Sequence, residues 1–295
     1  MSAGGRRSGD WLCERQTEGV SFCLRVRRWL VRRRTSLQEL ELAETEELGR
    51  VLALDGKIML SELDEPFYHE MLVHPAMLAH ELPRRVLVVG GGDGGTLREV
   101  LRHPTVEEAT LVEIDREVIE ASREHLSSVH QGAFDDPRAK VVITPGEEYV
   151  ARHEASFDVI LVDSTDPIGP GEALFTESFF AACRGALREG GLLALQAGTP
   201  FYWPQELAQV VERLKLWFPY VGVYLGFVPT YPSGMWAYVL AGLSDFREAE
   251  PELETRFAAR GLVTRYYSPA LHRAAFVLPR FVEEILAGTP ASASR

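Results

Sequence analysis

VLVVGGGDGGTLREV, residues Val86–Val100, decides the fold. The unbroken apolar run Val86 to Val89 suits a strand covered on both faces, and Leu97, Val100 and Leu101 resume at helical spacing. In the turn between them Gly90, Gly92 and Gly95 satisfy the dinucleotide pattern G-x-G-x-x-G. Glycines let backbone approach a ligand closely, and a helix start offers unpaired N–H groups. Asp93, in the middle of the turn, changes that reading. A carboxylate repels a bound pyrophosphate and welcomes a cation, so the turn points to a nucleoside whose tail is a sulfonium or an amine. An Asp here also suits the cap of the following helix, and the two roles are compatible because a capping carboxylate keeps spare lone pairs.

Downstream, Ala109–Asp115 reads as a second buried strand and Val118–Leu126 as a helix. Further strand-like runs fall at Lys140–Ile143, Phe157–Val162, Leu192–Gln196 and Val221–Phe227, with helical text between them. Strands alternating with helices imply an α/β fold with a doubly wound, mainly parallel sheet. Ligands of such sheets lie beyond the carboxyl ends of the strands, which makes Asp93, Glu113, Asp163 and Gln196 the site candidates. Glu113 lies 20 residues after Asp93, where an acid can accept both hydroxyls of a ribose. The loop DSTDPIGP, Asp163–Pro170, sets Asp163 and Asp166 three apart and follows them with prolines and a glycine, a stiff acidic loop at the mouth of the sheet. PTYPSG, Pro229–Gly234, is too short to hold a crossover helix. The run Met235–Leu240 therefore returns antiparallel to Val221–Phe227, with Tyr231 in the connection.

Upstream, Val20–Arg28, Leu37–Ala43, Arg50–Leu54 and Lys57–Leu60 are short and strand-like, with a hairpin signal at Asp55-Gly56. They predict a small antiparallel β domain over residues 1–66 and leave 67–295 to the Rossmann-like α/β domain. Met1–Gln16 has no apolar segment of a secretory signal and reads as a frayed tail. Helical text begins at Tyr68, with Pro75 marking a break or a first turn, and helices over Leu253–Arg260 and Phe276–Leu286 close the fold. The 295 residues, 46 % hydrophobic, suffice for a real core. A formal charge of −12 disfavours a nucleic-acid surface and draws small cations to an acidic cleft. The arginines from Arg25 to Arg34 interleave with apolar residues as a solvated face does. Cys13, Cys23 and Cys183 have no paired or metal-ligand spacing, which predicts free thiols in a reducing, cytoplasmic setting. The eight histidines form no ligand cluster, so no metal is expected, and no run of ~18 apolar residues suggests a membrane span.

Together, GGGDGGTLREV (Gly90–Val100), DSTDPIGP (Asp163–Pro170) and PTYPSG (Pro229–Gly234) resemble the polyamine aminopropyltransferases, the spermidine synthase family. DEPFYHEM (Asp64–Met71), LDG (Leu54–Gly56) and SLQ (Ser36–Gln38) extend the likeness, which runs from about Trp11 to Leu240. The resemblance implies an N-terminal β domain followed by a methyltransferase-like Rossmann domain, assembled as a homodimer or homotetramer. It implies decarboxylated S-adenosylmethionine as co-substrate, no prosthetic group, and putrescine as acceptor. By the same resemblance Asp93 would hold the amine of the aminopropyl tail, Gln38, His69 and Gly90 would contact the nucleoside, and Glu113 would take the ribose hydroxyls. Asp163, with Tyr68, would strip a proton from the attacking amine. Asp166 and Tyr231 would anchor the far end of the diamine, and Ser164, Thr165 and Gln196 would line its site.

Two departures from the family pattern bear on that assignment. Pro145 stands where an Asp would accept from the adenine amino group, leaving the backbone of Gly146 and the side chain of Glu147 to contact the ring. Met59 stands where a glutamine is usual, which bears on acceptor identity. Alternatives to the putrescine reading are a longer amine or agmatine as acceptor, a methyltransferase on the same fold, and a catalytically silent protein that binds nucleoside or polyamine.

Overall fold

A computed structural model describes residues 10–165, 169–246 and 250–288. The chain opens with five strands, β1 (Trp11–Arg15), β2 (Ser21–Arg34), β3 (Glu39–Thr45), β4 (Arg50–Leu54) and β5 (Lys57–Ser61), paired antiparallel in that order. Helix α1 (Glu65–Ala79) leads to β6 (Arg85–Gly90), the glycine turn and α2 (Gly95–Leu101). Next come β7 (Glu108–Glu113), α3 (Arg116–His125), α4 (Ser127–His130), β8 (Ala139–Ile143), α5 (Gly146–Ala151) and β9 (Phe157–Asp163). The chain finishes through α6 (Glu177–Ala186), β10 (Leu187–Gln196), α7 (Pro204–Lys215), β11 (Tyr220–Phe227), β12 (Met235–Gly242), α8 (Glu250–Ala259), α9 (Pro269–Ala275) and α10 (Arg280–Leu286).

Strands β6 to β12 form one sheet in the order β11-β12-β10-β9-β6-β7-β8, parallel except that β12 runs antiparallel to both of its neighbours. The apolar run of β6 is explained by its two covered faces. Val86 and Val88 pack with Met71, Leu72 and Leu97 on one side, and Leu87 and Val89 with Val150, Phe179 and Leu207 on the other. From β6 the chain builds outward through β7 and β8, then returns to place β9 on the other flank of β6. The site candidates lie at or just past the carboxyl ends of β6, β7, β9 and β10, around that reversal of strand order.

Four expectations need correction. Trp11–Arg15 is an edge strand and not part of a frayed tail. That strand sets Cys13 directly opposite Cys23, and the two form a disulfide, whereas free thiols were expected; only Cys183 remains a buried free thiol among the described residues. Ten residues of sequence separation carry no pairing signal, and the pair exists only through the β1–β2 register. Pro75 lies inside α1 without breaking it. Proline cannot donate to the carbonyl four residues back, and here the Tyr224 hydroxyl donates to Met71 O at 2.9 Å in its place. The predicted closing helix at Phe276 begins only at Arg280, because Phe276–Pro279 separates α9 from α10.

The arginines of β2 pair across the sheet: Arg25 with Glu46, Arg28 with Glu44, Arg32 with Glu41 and Arg34 with Glu39, while Arg33 meets Glu117 of α3 at 2.9 Å. The charge of these five is therefore matched locally, while Arg27 donates to the backbone oxygen of Glu46. Among the described residues no helix is long and apolar enough to cross a membrane.

Candidate active site

A cavity of about 870 Å³, counted with its open mouth, lies over the carboxyl ends of β6, β7 and β9. The Rossmann-like domain supplies Gly90, Asp93, Glu113 and Asp163; α1 supplies Tyr68 and His69; and the N-terminal sheet closes it with Gln38, Leu52, Leu54 and Met59. The two acids meet because the glycine turn and the end of β9 are held together. Gly90 pairs with Asp163 in the sheet, and Gly91 N donates to Asp163 O at 2.8 Å. A Cβ on Gly90, whose φ is +83°, would lie 2.0 Å from that same oxygen, so only glycine allows this approach. Gly95 makes room in the same way for the His69 ring, since a Cβ there would lie 2.3 Å from His69 Cε1.

Asp93 bonds into the start of α2 and lines the cavity. Its Oδ1 accepts from Gly95 N at 2.7 Å, and the same oxygen lies 3.3 Å from His69 Nε2. The other ring nitrogen, Nδ1, lies 2.6 Å from Glu65 Oε2, and Arg98 grips Glu65 with two bonds of 2.8 and 2.9 Å. All four groups are buried. Burial alone would lower the His69 pKa, but the charges and hydrogen bonds of Asp93 and Glu65 raise it well above the ordinary value. Burial alone would raise Asp93, and the His69 charge, with Gly95 N–H and Arg98, holds it below the ordinary value. Glu65 is likewise lowered: His69 and Arg98 overcome its burial. One potential ligand atom from each of His69, Asp93 and Asp163 lies within 4.8 Å of the others, close enough for a metal ion. His69 reaches that cluster through Nε2, with its Nδ1 already bonded to Glu65.

Asp163 is different in kind. Its Oδ1 accepts from the Tyr68 hydroxyl at 2.8 Å and its Oδ2 from the Thr96 hydroxyl at 2.7 Å. Burial and then the Asp93 charge raise its pKa; His69, Thr96 and Tyr68 pull the other way without cancelling the rise. The result is an oriented carboxylate of enhanced basicity. Burial keeps the Tyr68 hydroxyl protonated far above the usual phenol range, so it remains a donor. Glu113 is pushed up to about 7, chiefly by burial, although Asp115 N donates to it at 2.9 Å. Asp115 in turn accepts from Thr35 and Gln38 at 2.7 and 3.0 Å, which ties the N-terminal sheet to the end of β7.

A smaller cavity adjoins the first and shares Met59, Tyr68, Ser164, Thr165 and Tyr231 with it. Gln196 lines only this second cavity; its amide nitrogen donates to the backbone oxygens of Ser164 and Thr165. Tyr231 is carried there by Thr230, whose N–H and hydroxyl both donate to Asp64 Oδ2, and its own hydroxyl donates to Met59 O. Gly146 and Glu147 line the larger cavity; Pro145, counted with the nucleoside contacts from its place in the family pattern, does not, and is the N-cap residue of α5. Asp166 lies outside the described residues. The sequence reading missed Thr96, Glu65 and Arg98, and also Leu52 and Leu54. Thr96 stands next to the glycine turn and so had a local signal; Glu65 and Arg98 are 33 residues apart and had none.

Fold and site together define an α/β protein with an acidic cavity at the carboxyl ends of its parallel strands, joined to a second cavity through Met59, Tyr68, Ser164, Thr165 and Tyr231. Residues 65–248 match the spermine/spermidine synthase domain, and residues 10–62 match the spermidine synthase tetramerisation domain. Polyamine aminopropyltransferases of Caldicellulosiruptor bescii and Bacillus subtilis are each 43 % identical over 276 residues, covering 94 % of this chain and 98 % of theirs. A solved spermidine synthase in complex with the transition-state analogue AdoDATO superposes with a TM-score of 0.91 at 42 % identity, covering 95 % of this chain and 96 % of that one. The Thermotoga maritima spermidine synthase gives 0.88 at 41 %, with 95 % of each chain covered. The chain belongs to the spermine/spermidine synthase family of aminopropyltransferases.

Proposed function

We propose that this enzyme moves the aminopropyl group of decarboxylated S-adenosylmethionine to putrescine, giving spermidine and methylthioadenosine. The observation that carries the reading is the convergence of Asp93 and Asp163 on one cavity, with the Tyr68 hydroxyl on Asp163. In this reading Glu113 accepts the ribose hydroxyls, Gln38, Gly90 and Gly146 contact the nucleoside, and Asp93 receives the tail ammonium. His69 positions Asp93. The acceptor enters through the smaller cavity past Tyr231, Gln196, Ser164 and Thr165, with Asp166 assigned to its far end by the family resemblance.

A protonated amine has no lone pair, so the nucleophilic nitrogen first gives a proton to Asp163. The freed lone pair attacks the carbon bonded to the sulfonium, the C–S bond breaks, and its electrons return to sulfur. Methylthioadenosine leaves as a neutral thioether and needs no acid. Rate then comes chiefly from in-line placement of nitrogen, carbon and sulfur by the two joined cavities. The similarity of residues 10–62 to a tetramerisation domain supports assembly through the N-terminal sheet into a homotetramer, with the domain division at residues 66/67.

The test is methylthioadenosine release over a panel of acceptors, with decarboxylated and ordinary S-adenosylmethionine as donors. The expected result is turnover with the decarboxylated donor and putrescine, reduced about 10²- to 10⁴-fold in kcat by Asp163→Asn, while methylthioadenosine affinity stays within about threefold. Methyl transfer from ordinary S-adenosylmethionine, agmatine or a longer amine outrunning putrescine, or binding without turnover would each replace this reading with one of its alternatives.

A further inference from the structure

The smaller cavity holds a pair of charges that the reaction described above does not use. Its wall on the N-terminal sheet carries Glu14 of β1, which is 3 % exposed, and Lys57 at the start of β5. Glu14 Oε2 accepts from Ile58 N at 3.1 Å, which fixes the carboxylate in place. Its Oε1 lies 3.5 Å from Lys57 Nζ, which also donates to Arg15 O at 3.1 Å and stands 5.8 Å from the centre of the Trp203 ring. Tyr68, Ser164 and Thr165 connect this cavity to Asp163 and the donor pocket.

A diamine that surrenders a proton at Asp163 still carries a second ammonium elsewhere. A buried, rigidly held carboxylate in that cavity is a second counter-ion for that charge, besides the Asp166 that the family resemblance assigns to the far end. Here the carboxylate already has an ammonium of the chain's own beside it. We propose that Lys57 is a tethered competitor for the acceptor's distal cation at Glu14, and that it sets the enzyme's selectivity between amines of different charge. Lys57 is about one third exposed on a flexible stem, so the competition is graded rather than absolute: the ammonium can swing away at modest cost. The side chain of Met59, which lines both cavities, offers the acceptor only an apolar contact. The inference rests on the aminopropyltransferase reading given above.

The experiment compares kcat/KM for putrescine, spermidine and n-butylamine, a monoamine without a distal cation, in wild type, Lys57→Met, Lys57→Arg and Glu14→Gln. Lys57→Met is expected to raise the ratio of putrescine to butylamine, or of spermidine to butylamine, about two- to fivefold, through KM. Lys57→Arg keeps the charge and should keep the wild-type ratio. Glu14→Gln can still accept from Ile58 N; it should lower the ratio and abolish the effect of Lys57→Met in the double variant. A ratio that stays within twofold or falls in Lys57→Met, or a gain that persists without the Glu14 charge, overturns the proposal. Absence of turnover by wild type with every amine overturns the aminopropyltransferase reading, and this one with it; turnover with an unmoved ratio overturns this one alone.

Discussion

Replacing Asp93 by Asn tests the electrostatic heart of the donor pocket with little disturbance of its shape. The amide oxygen of Asn can still accept from Gly95 N, now bonded to Asp93 at 2.7 Å, so the turn into α2 keeps its geometry and loses only the charge. At about 4 Å, an ammonium and a carboxylate attract by about 1 to 4 kcal/mol across effective dielectrics of 80 to 20. Burial of Asp93 favours the upper part of that range, and the His69 imidazolium 3.3 Å away offsets part of it. We therefore expect a loss of about 2 kcal/mol, or roughly 30-fold in affinity, for decarboxylated S-adenosylmethionine. Ordinary S-adenosylmethionine carries both an ammonium and a carboxylate on its tail, so its lost attraction and its relieved repulsion largely cancel. The gap between the two donors should narrow by the same factor of about 30. Titration calorimetry with both donors measures it, and methylthioadenosine, which has no charged tail, serves as control. An unchanged gap would refute the charge argument; an equal loss for methylthioadenosine would show that the turn, not the charge, had been damaged.

Glu113 is pushed up to about 7, so its proposed role at the ribose predicts that methylthioadenosine affinity rises with pH, as the ionised carboxylate would accept both hydroxyls. The gain should approach about tenfold between pH ~6 and ~8 and vanish in Glu113→Gln; a mutant with the wild-type slope would assign the titration elsewhere. The same group has a stability consequence of fixed sign. The folded protein holds this proton to higher pH than the ordinary value of 4.5, so its contribution is full below that value and is lost as pH rises through about 7. Tyr224→Phe leaves Met71 O, at the proline in α1, buried without its donor. We expect a destabilisation of about 1 to 3 kcal/mol in urea unfolding; a shift under ~0.5 kcal/mol would mean that the Pro75 site is satisfied in some other way.

Much of this molecule is written in short stretches. The run Val86–Val89 followed by glycines identifies the first strand and turn because a strand covered on both faces has no polar side. Asp93, Glu113, Asp163 and Gln196 were legible as candidates because strand ends in a doubly wound sheet are where ligands go, and each lines a cavity at or just past such an end. The brevity of the link Pro229–Gly234 was enough to turn β12 antiparallel to β11. These inferences succeed because periodicity, turn chemistry and loop length act within a few residues.

The tertiary structure alone decided the pairings between distant segments. Arg98 meets Glu65, Tyr224 replaces the N–H that Pro75 lacks, Cys13 faces Cys23, and Glu14 of the N-terminal sheet reaches the smaller cavity beside Lys57. No local pattern encodes such contacts. They depend on strand register and on how α1 and the N-terminal sheet pack over the strand ends, so residues far apart in the chain, unremarkable where they stand, set each other's charge only once folding has removed water from between them.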